Sequence, residues 1–198
     1  MSLLREAHIG QGLDIEGLES VLKDSDSNPD NVFVAVMDIH RRKSGVAFGS
    51  FARMGAILGS GSARQIWVLG EFFEEIGTLF QVRDDIINIT GLQGDLKQQF
   101  EDLEHGKITL PVALALQYSP VGSRKLLLQQ LQSKTHDTES LKYNLLVAIN
   151  STNSIQLCED FIEKRYKSAL KVLQNSHCNL SNMENIMMFS KRMLDFPY

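Results

Sequence analysis

Gln81, Asp84, Asp85 and Asn88 stand at i, i+3, i+4 and i+7 in EFFEEIGTLFQVRDDIINITG, so at helical pitch they share one face. Phe72, Phe73, Ile76, Leu79, Phe80, Val82, Ile86, Ile87 and Ile89 fill the rest of that helix. Two adjacent carboxylates on so apolar a helix repel each other and lose hydration. A divalent cation cancels that cost. Mg²⁺ suits the pattern, because it takes oxygen ligands and commonly uses one or two carboxylates together with substrate phosphates. Taken alone, Asp84-Asp85 is a weak signal, since a solvated acidic pair on a helix surface has the same sequence. Gly77, one turn before Gln81, allows another helix or a ligand to approach closely.

Cations occur at two breaks where such a site could use them. Lys43 is followed by Ser44-Gly45, and Lys107 follows Gly106 just before the apolar stretch ITLPVALALQY. Each has an ordinary alternative as a helix-end or loop lysine. Gln11 and Asp14 share a face at i, i+3, with a plain polar face as their alternative. His8, His40 and His105 show no ligand spacing. No Ser/His/Asp triad pattern, phosphate-binding loop or GxGxxG is present.

The elements that must position these residues all read at helical period. Prolines at 29, 111, 120 and 197 leave long uninterrupted stretches. A first helix is expected over Leu3–Leu22, with Leu18 and Val21 on its apolar face, stopped by the turn cluster DSDSNPD from Asp24. A second runs from about Asn31 to Arg42, capped by Asn31 or Asp30, and Lys43-Ser44-Gly45 interrupts it. A small-residue helix follows from Val46 to about Leu58. After Gly59-Ser60-Gly61-Ser62, with Ser62 or Ser60 as cap, comes the longest helix, Ala63 to about Thr90, expected to be buried on most sides. A polar segment leads to a short helix with Pro111 in its first turn. Amphipathic helices are then expected at about Gly122–Gln132, Glu139–Ile149, Ser154–Gln174 and Asn182–Leu194. The fold class is therefore all-α.

With 198 residues, 20 basic against 24 acidic, and net charge −4, the chain is an ordinary globular domain and lacks the basic balance that general nucleic-acid binding requires. Acid is unevenly placed: nine acids between Glu71 and Glu104, Asp95 included, face only Arg83 and Lys97. Cys158 and Cys178 make neither a disulfide framework nor a zinc site and read as free thiols of an intracellular protein. No apolar run approaches the ~20 residues that span a bilayer, and MSLLREAHIGQG is no signal peptide. The expected location is cytoplasmic, with organelle targeting unreadable if a longer N-terminus exists.

Taken in order, GQxxD (Gly10, Gln11, Asp14), KS-G (Lys43, Ser44, Gly45), FQxxDDxxN (Phe80 to Asn88) and DLxxGKxTLP (Asp102 to Pro111) resemble the trans-polyprenyl diphosphate synthases, which include the farnesyl and geranylgeranyl diphosphate synthases. Four motifs in one order are far more specific than any one of them. The resemblance implies an isoprenoid synthase-type bundle of helices around a deep cavity. It also implies condensation of isopentenyl diphosphate with an allylic diphosphate, assisted by Mg²⁺. By resemblance, Asp84, Asp85 and Asn88 hold the metal. Lys43, Gln81 and Lys107 act at the leaving diphosphate, where positive charge helps most as the C–O bond breaks. Gln11, Asp14 and Ser44 join them in binding substrate. Asn88 stands where many members carry a third aspartate, some geranylgeranyl-type synthases resembling this chain in having asparagine there, and Ser44 replaces a frequent threonine.

Family members normally carry a first DDxxD motif upstream of GQxxD, and this chain has none. It is thus expected to correspond to about the last two thirds of the fold: one domain over 1–198, with a motif-bearing core at 1–118 and C-terminal helices at 119–198. Two readings follow. The chain is either the C-terminal portion of a synthase that forms a geranylgeranyl-type product, or a regulatory partner of a full-length synthase, acting as a homo-oligomer or heteromer. A class I terpene cyclase fragment is a cousin reading, against which DLxxGKxTLP speaks. A helical scaffold of another class would need four coincident motifs.

Overall fold

A computed structural model describes residues 3–17, 22, 28–91, 99–132, 138–176 and 182–195, and every regular element among them is helical. In chain order these are α1 (Leu3–Glu16), α2 (Asp30–His40), a π-helical turn (Arg41–Gly45), α3 (Val46–Leu58), α4 (Ala63–Thr90), α5 (Glu101–Glu104), α6 (Leu110–Tyr118), α7 (Val121–Gln132), α8 (Thr138–Ser151), α9 (Ser154–Gln174) and α10 (Met183–Leu194). Expectations that fall on Leu18, Val21, Asp24, Asp95, Lys97, Cys178 and Pro197 lie outside the described residues.

Local chemistry explains most boundaries. Ser62 Oγ accepts from the Gln65 N–H while Gln65 Oε1 accepts from the Ser62 N–H, a reciprocal capping box that starts α4 where the sequence places it. The start of α2 differs from expectation: Asn28 Oδ1, rather than Asn31 or Asp30, accepts the Asp30 N–H. Lys43-Ser44-Gly45 also differs. The chain does not break there but stays helical from Asp30 to Leu58, widened by the π-helical turn. Glycine is required there by close packing, since a Cβ at Gly45 would stand 2.8 Å from the Glu74 carbonyl oxygen.

By its internal packing the chain divides into two compact units. One comprises residues 1–11, 40–83 and 161–198; the other comprises 12–39 and 84–160. In the first unit α3 lies close against α4 through glycines on both helices. A Cβ at Gly49 would sit 2.7 Å from the Gly70 carbonyl oxygen, and one at Gly77 would sit 2.7 Å from the Phe48 ring. Val68, Phe72, Ile76, Leu79 and Val82 of α4 are buried with Ile162, Leu173 and Leu194 of α9 and α10. Phe73 of α4 meets Phe189 of α10, with ring centroids 6.2 Å apart.

The second unit is organised on α6, which is apolar all round and buried from Leu110 to Leu116. α7 and α8 pack on it and on each other. Val32, Val36 and Ile39 of α2 complete this core with Ile86, Ile87 and Ile89 of α4, Leu127 and Leu128 of α7, and Leu145 and Ile149 of α8. No described helix is long and apolar enough to cross a membrane.

Candidate functional site

In the first unit, the GQ and KS-G motifs meet through backbone. A Cβ at Gly10 would stand 2.6 Å from the Lys43 amide nitrogen and 2.7 Å from Arg42 Cβ, so only glycine lets α1 lie this close to the π-helical turn. Glu6, one turn earlier, pairs with Arg42 at 2.6 Å and fixes the same crossing. Lys43 is half-buried within that turn, and Gln11 is exposed on α1. Ser44 Oγ donates to Gln81 Oε1 over 3.0 Å, which joins two residues that the sequence reading nominates independently.

In the second unit, the last turns of α4 hold the segment before α6 at both ends. The Gln99 amide donates to the Thr90 carbonyl over 2.8 Å, and the Phe100 N–H donates to the Asn88 carbonyl over 2.9 Å. Phe100 is buried and takes φ +61°, a conformation uncommon for so large a residue, which these contacts hold in place. At the other end, the Leu110 N–H donates to Asp85 Oδ2 over 2.6 Å in a buried setting. Between these ties lies DLEHGK. Gly106 turns the chain with φ +73°, and the Lys107 N–H reaches the Asp102 carbonyl over 2.9 Å.

Lys107 Nζ lies 3.1 Å from Asp14 Oδ2 and 3.5 Å from Asp102 Oδ1. Burial alone would lower the ammonium's pKa, but the hydrogen bonds and charges of Asp14 and Asp102 outweigh it and raise it above the ordinary lysine value. Asp14 and Lys107 are therefore brought together. Gly17 follows α1 with φ +71°, and a Cβ there would collide with the Gly106 carbonyl oxygen at 2.7 Å. That contact sets the end of α1 against the turn that carries Lys107.

The three candidate metal ligands are not equivalent. Asp84 is half-buried. Asp85 is 3 % exposed and engaged with the start of α6, and Asn88 is 0 % exposed with both amide atoms lacking a hydrogen-bond partner. Among the described residues no three acidic, imidazole or thiol side chains converge where a metal could sit.

Much of the acid surplus has structural partners that the sequence does not name. Arg53 pairs with Glu71 at 2.7 Å and Glu74 at 3.4 Å, and Arg41 with Glu74 at 3.0 Å. Arg165 grips Glu75 with two bonds of 2.6 and 2.7 Å, which raises the guanidinium's pKa, and Lys142 pairs with Glu104 at 2.7 Å. Asp102, quoted above only as part of a motif, is a further partner of Lys107. Its spacing before Gly106-Lys107, enough for one tight turn, is the signal that could have marked it. Cys158 is free and buried, and its thiol is pushed up by burial and by the negative charges of Asp85 and Glu159, so it stays protonated and unreactive.

Residues 2–148 match the family model described as polyprenyl synthetase. The chain is 35 % identical over 116 residues to farnesyl diphosphate synthase of Escherichia coli (strain K12), a match that covers 54 % of this chain and 39 % of that protein. It is 27 % identical over 138 residues to geranylgeranyl diphosphate synthase of Sulfolobus acidocaldarius, covering 69 % and 41 %. It thus spans about two fifths of the curated relatives it matches. Among solved structures, polyprenyl synthetase from Streptomyces coelicolor A3(2) superposes with a TM-score of 0.79 at 18 % identity, over 98 % of this chain and 56 % of that one. Geranylgeranyl pyrophosphate synthase from Corynebacterium glutamicum, complexed with isoprenyl diphosphate and magnesium, gives a TM-score of 0.76 at 24 % identity over 98 % and 53 %. At such identities the superpositions speak for the fold, and the match over residues 2–148 speaks for descent: the chain belongs to the polyprenyl synthetase family and has its all-α fold.

Proposed function

We propose that this chain forms, as one helical domain over 1–198, the diphosphate-ionising part of a trans-prenyltransferase that condenses isopentenyl diphosphate with an allylic diphosphate. The observation that carries the reading is the family match over residues 2–148, which contains every candidate from Gln11 to Lys107. A geranylgeranyl-type product is the favoured outcome, supported by Asn88 at the third acidic position and by the geranylgeranyl diphosphate synthases among the relatives.

The residues fit Mg²⁺ on one condition. Asp84 offers a half-buried carboxylate, while Asp85 and Asn88 are buried, so diphosphate oxygens must supply the other ligands, an arrangement usual for this ion. Asp84 would hold it, and when bound it supplies charge neutralisation for the departing diphosphate. Lys107 stays an ammonium because Asp14 and Asp102 surround it, and its fixed charge stabilises negative charge as the allylic C–O bond opens. Lys43 is proposed to offer positive charge to a substrate diphosphate from the π-helical turn. The Ser44–Gln81 bond orients the Gln81 amide, and Gln11 and Asp14 line the substrate side. Asp14 and Asp102 must share Lys107 with the diphosphate when it binds.

A second reading, a regulatory partner of a full-length synthase, is favoured by α3. Its Phe51 and Leu58 are 64 % and 85 % exposed and Met54 is exposed beside them, a surface suited to association either with a second copy or with a synthase. A prenyl-transfer assay separates the two. Isopentenyl diphosphate is supplied with dimethylallyl, geranyl or farnesyl diphosphate, with Mg²⁺ or with chelator, and products are read by mass spectrometry. Mg²⁺-dependent elongation by the chain alone supports the first reading. No elongation alone, but altered rate or product length when a full-length synthase is added, supports the second. No elongation alone, but Mg²⁺-dependent elongation once the upstream half of a family synthase is added, supports the first, and no effect in any arm sinks both.

A further inference from the structure

We infer that Asp85 is a positioning residue: it caps α6 from across the second unit and thereby fixes the segment that carries Lys107. The first turn of α6 is buried, so its N–H groups need partners that water cannot supply. The local candidate fails. Thr109 occupies the N-cap position with extended backbone, yet its hydroxyl makes no cap bond and is itself buried without a partner. Pro111 has no N–H to offer. The Leu110 N–H goes instead to Asp85 Oδ2 at 2.6 Å, from a residue 25 positions earlier in the chain. A carboxylate at a helix N-terminus also meets the positive end of the helix dipole, and a charge-assisted bond of this kind is about twice as strong as a neutral one.

The cap has a consequence upstream. Lys107 lies three residues before Leu110, and buried Ile108 lies between them. The Phe100–Asn88 backbone bond secures the far end of the same segment, so α4 holds both ends of the stretch in which Asp102 and Lys107 face each other. The two adjacent aspartates thus divide their tasks: buried Asp85 shapes the scaffold, and half-buried Asp84 is proposed to serve the ligand. Only this last step rests on the function proposed above.

The test is amide exchange by ¹⁵N NMR on the metal-free full chain in the parent, Asp85→Asn and Asp84→Asn. Asp85→Asn keeps an acceptor of the same shape but removes the charge. We expect Leu110 to exchange about tenfold faster, with the Gly106, Lys107 and Ile108 resonances shifted. Asp84→Asn should leave all of them unchanged. Leu110 exchange within twofold of the parent in Asp85→Asn, or an equal change in Asp84→Asn, overturns the inference. Adding Thr109→Asp to Asp85→Asn supplies a local cap carboxylate and should restore protection. If Asp85→Asn is too unstable to assign, recovery of a folded protein in the double variant supports the inference and failure to recover it counts against it.

Mn²⁺ binding in the presence of inorganic pyrophosphate, followed by electron paramagnetic resonance, gives an independent readout. Affinity should stay within threefold in Asp85→Asn and be lost in Asp84→Asn. Loss in Asp85→Asn with Leu110 still protected would make Asp85 a ligand and overturn the inference. A parent that binds no Mn²⁺ counts against the proposed function alone, and the exchange result still decides the role of Asp85.

Discussion

Ser44 Oγ and Gln81 Oε1 lie 3.0 Å apart, so the π-helical turn and α4 are joined by a side-chain bond between residues 37 apart in sequence. The bond is partly buried and neutral, which sets its worth at about 1 kcal/mol. Ser44→Ala should therefore lower the free energy of unfolding by about that amount in urea melts, with the slope unchanged. A loss near zero would mean that Gln81 is oriented by something other than Ser44.

Glycine contacts in the first unit give a sharper pair. A Cβ at Gly49 would meet the Gly70 carbonyl oxygen at 2.7 Å, and backbone cannot swing aside as a flexible side chain can. Gly49→Ala should destabilise by about 1–3 kcal/mol, the range of an overpacked core. Gly55, six residues along α3, has nothing within 4 Å of such a Cβ. Gly55→Ala should stabilise by roughly 0.5–1 kcal/mol, because alanine loses less backbone entropy in a helix. Thermal or urea melts of both variants read the difference directly, and similar effects of the same sign would refute the packing described for α3.

What was legible in the sequence, and what was not, follows from the range of the interaction concerned. The capping box at Ser62 and Gln65 and the length of α4 depend on neighbours in sequence, and both were readable. The continuity of Asp30 to Leu58 was not, because the close approach of Gly45 to Glu74 and Thr78, some thirty residues away, is a tertiary contact with no local signature. The acid surplus is visible in the sequence, but its reason is not. Glu71, Glu74, Glu75 and Glu104 meet Arg41, Arg53, Arg165 and Lys142 from distant elements, and no local pattern announces such partners. Asp84 and Asp85 are alike as sequence. Only the position of the α6 N-terminus sets them apart.

Asp84 carries the metal-linked prediction. On the prenyltransferase reading proposed above, Asp84→Ala should lower turnover by orders of magnitude and affect substrate affinity less, because the lost interaction matters most as charge develops on the leaving diphosphate. Steady-state kinetics with saturating allylic diphosphate checks it. Turnover within about threefold of the parent would remove Asp84 from the list of ligands.

Lys107 carries the pH prediction. Its folded-state pKa lies above the ordinary lysine value of 10.5, which is also the reference for the unfolded chain. Its pairing with Asp14 and Asp102 therefore contributes fully below 10.5 and fades as pH rises through the raised folded value. From neutral pH to the reference value this contribution should be flat, and above it stability should fall. Lys107→Met removes the titrating group, so the difference between parent and variant in urea melts should shrink only on the alkaline side. A difference that instead changes between pH 6 and 8 would show that another group controls the pair.

The exposed apolar face of α3 predicts the behaviour of the isolated chain. Phe51, Met54 and Leu58 recur at i, i+3 and i+7, so they form one stripe on a helix whose opposite side is already occupied by α4. Residues of this size in contact with water favour association, at roughly 25 cal/mol for each Å² of apolar surface covered. The chain should therefore self-associate in sedimentation velocity, with a weight-average coefficient that rises with concentration, and should bind an environment-sensitive apolar dye. Phe51→Lys with Leu58→Lys places charge in the stripe without touching the Gly45, Gly49 and Gly77 contacts that hold α3 to α4. The double variant should sediment as a monomer, lose most dye binding and keep its unfolding midpoint. A parent that is already monomeric and binds no dye would leave the stripe without a role in association, and the partner reading would lose its main support.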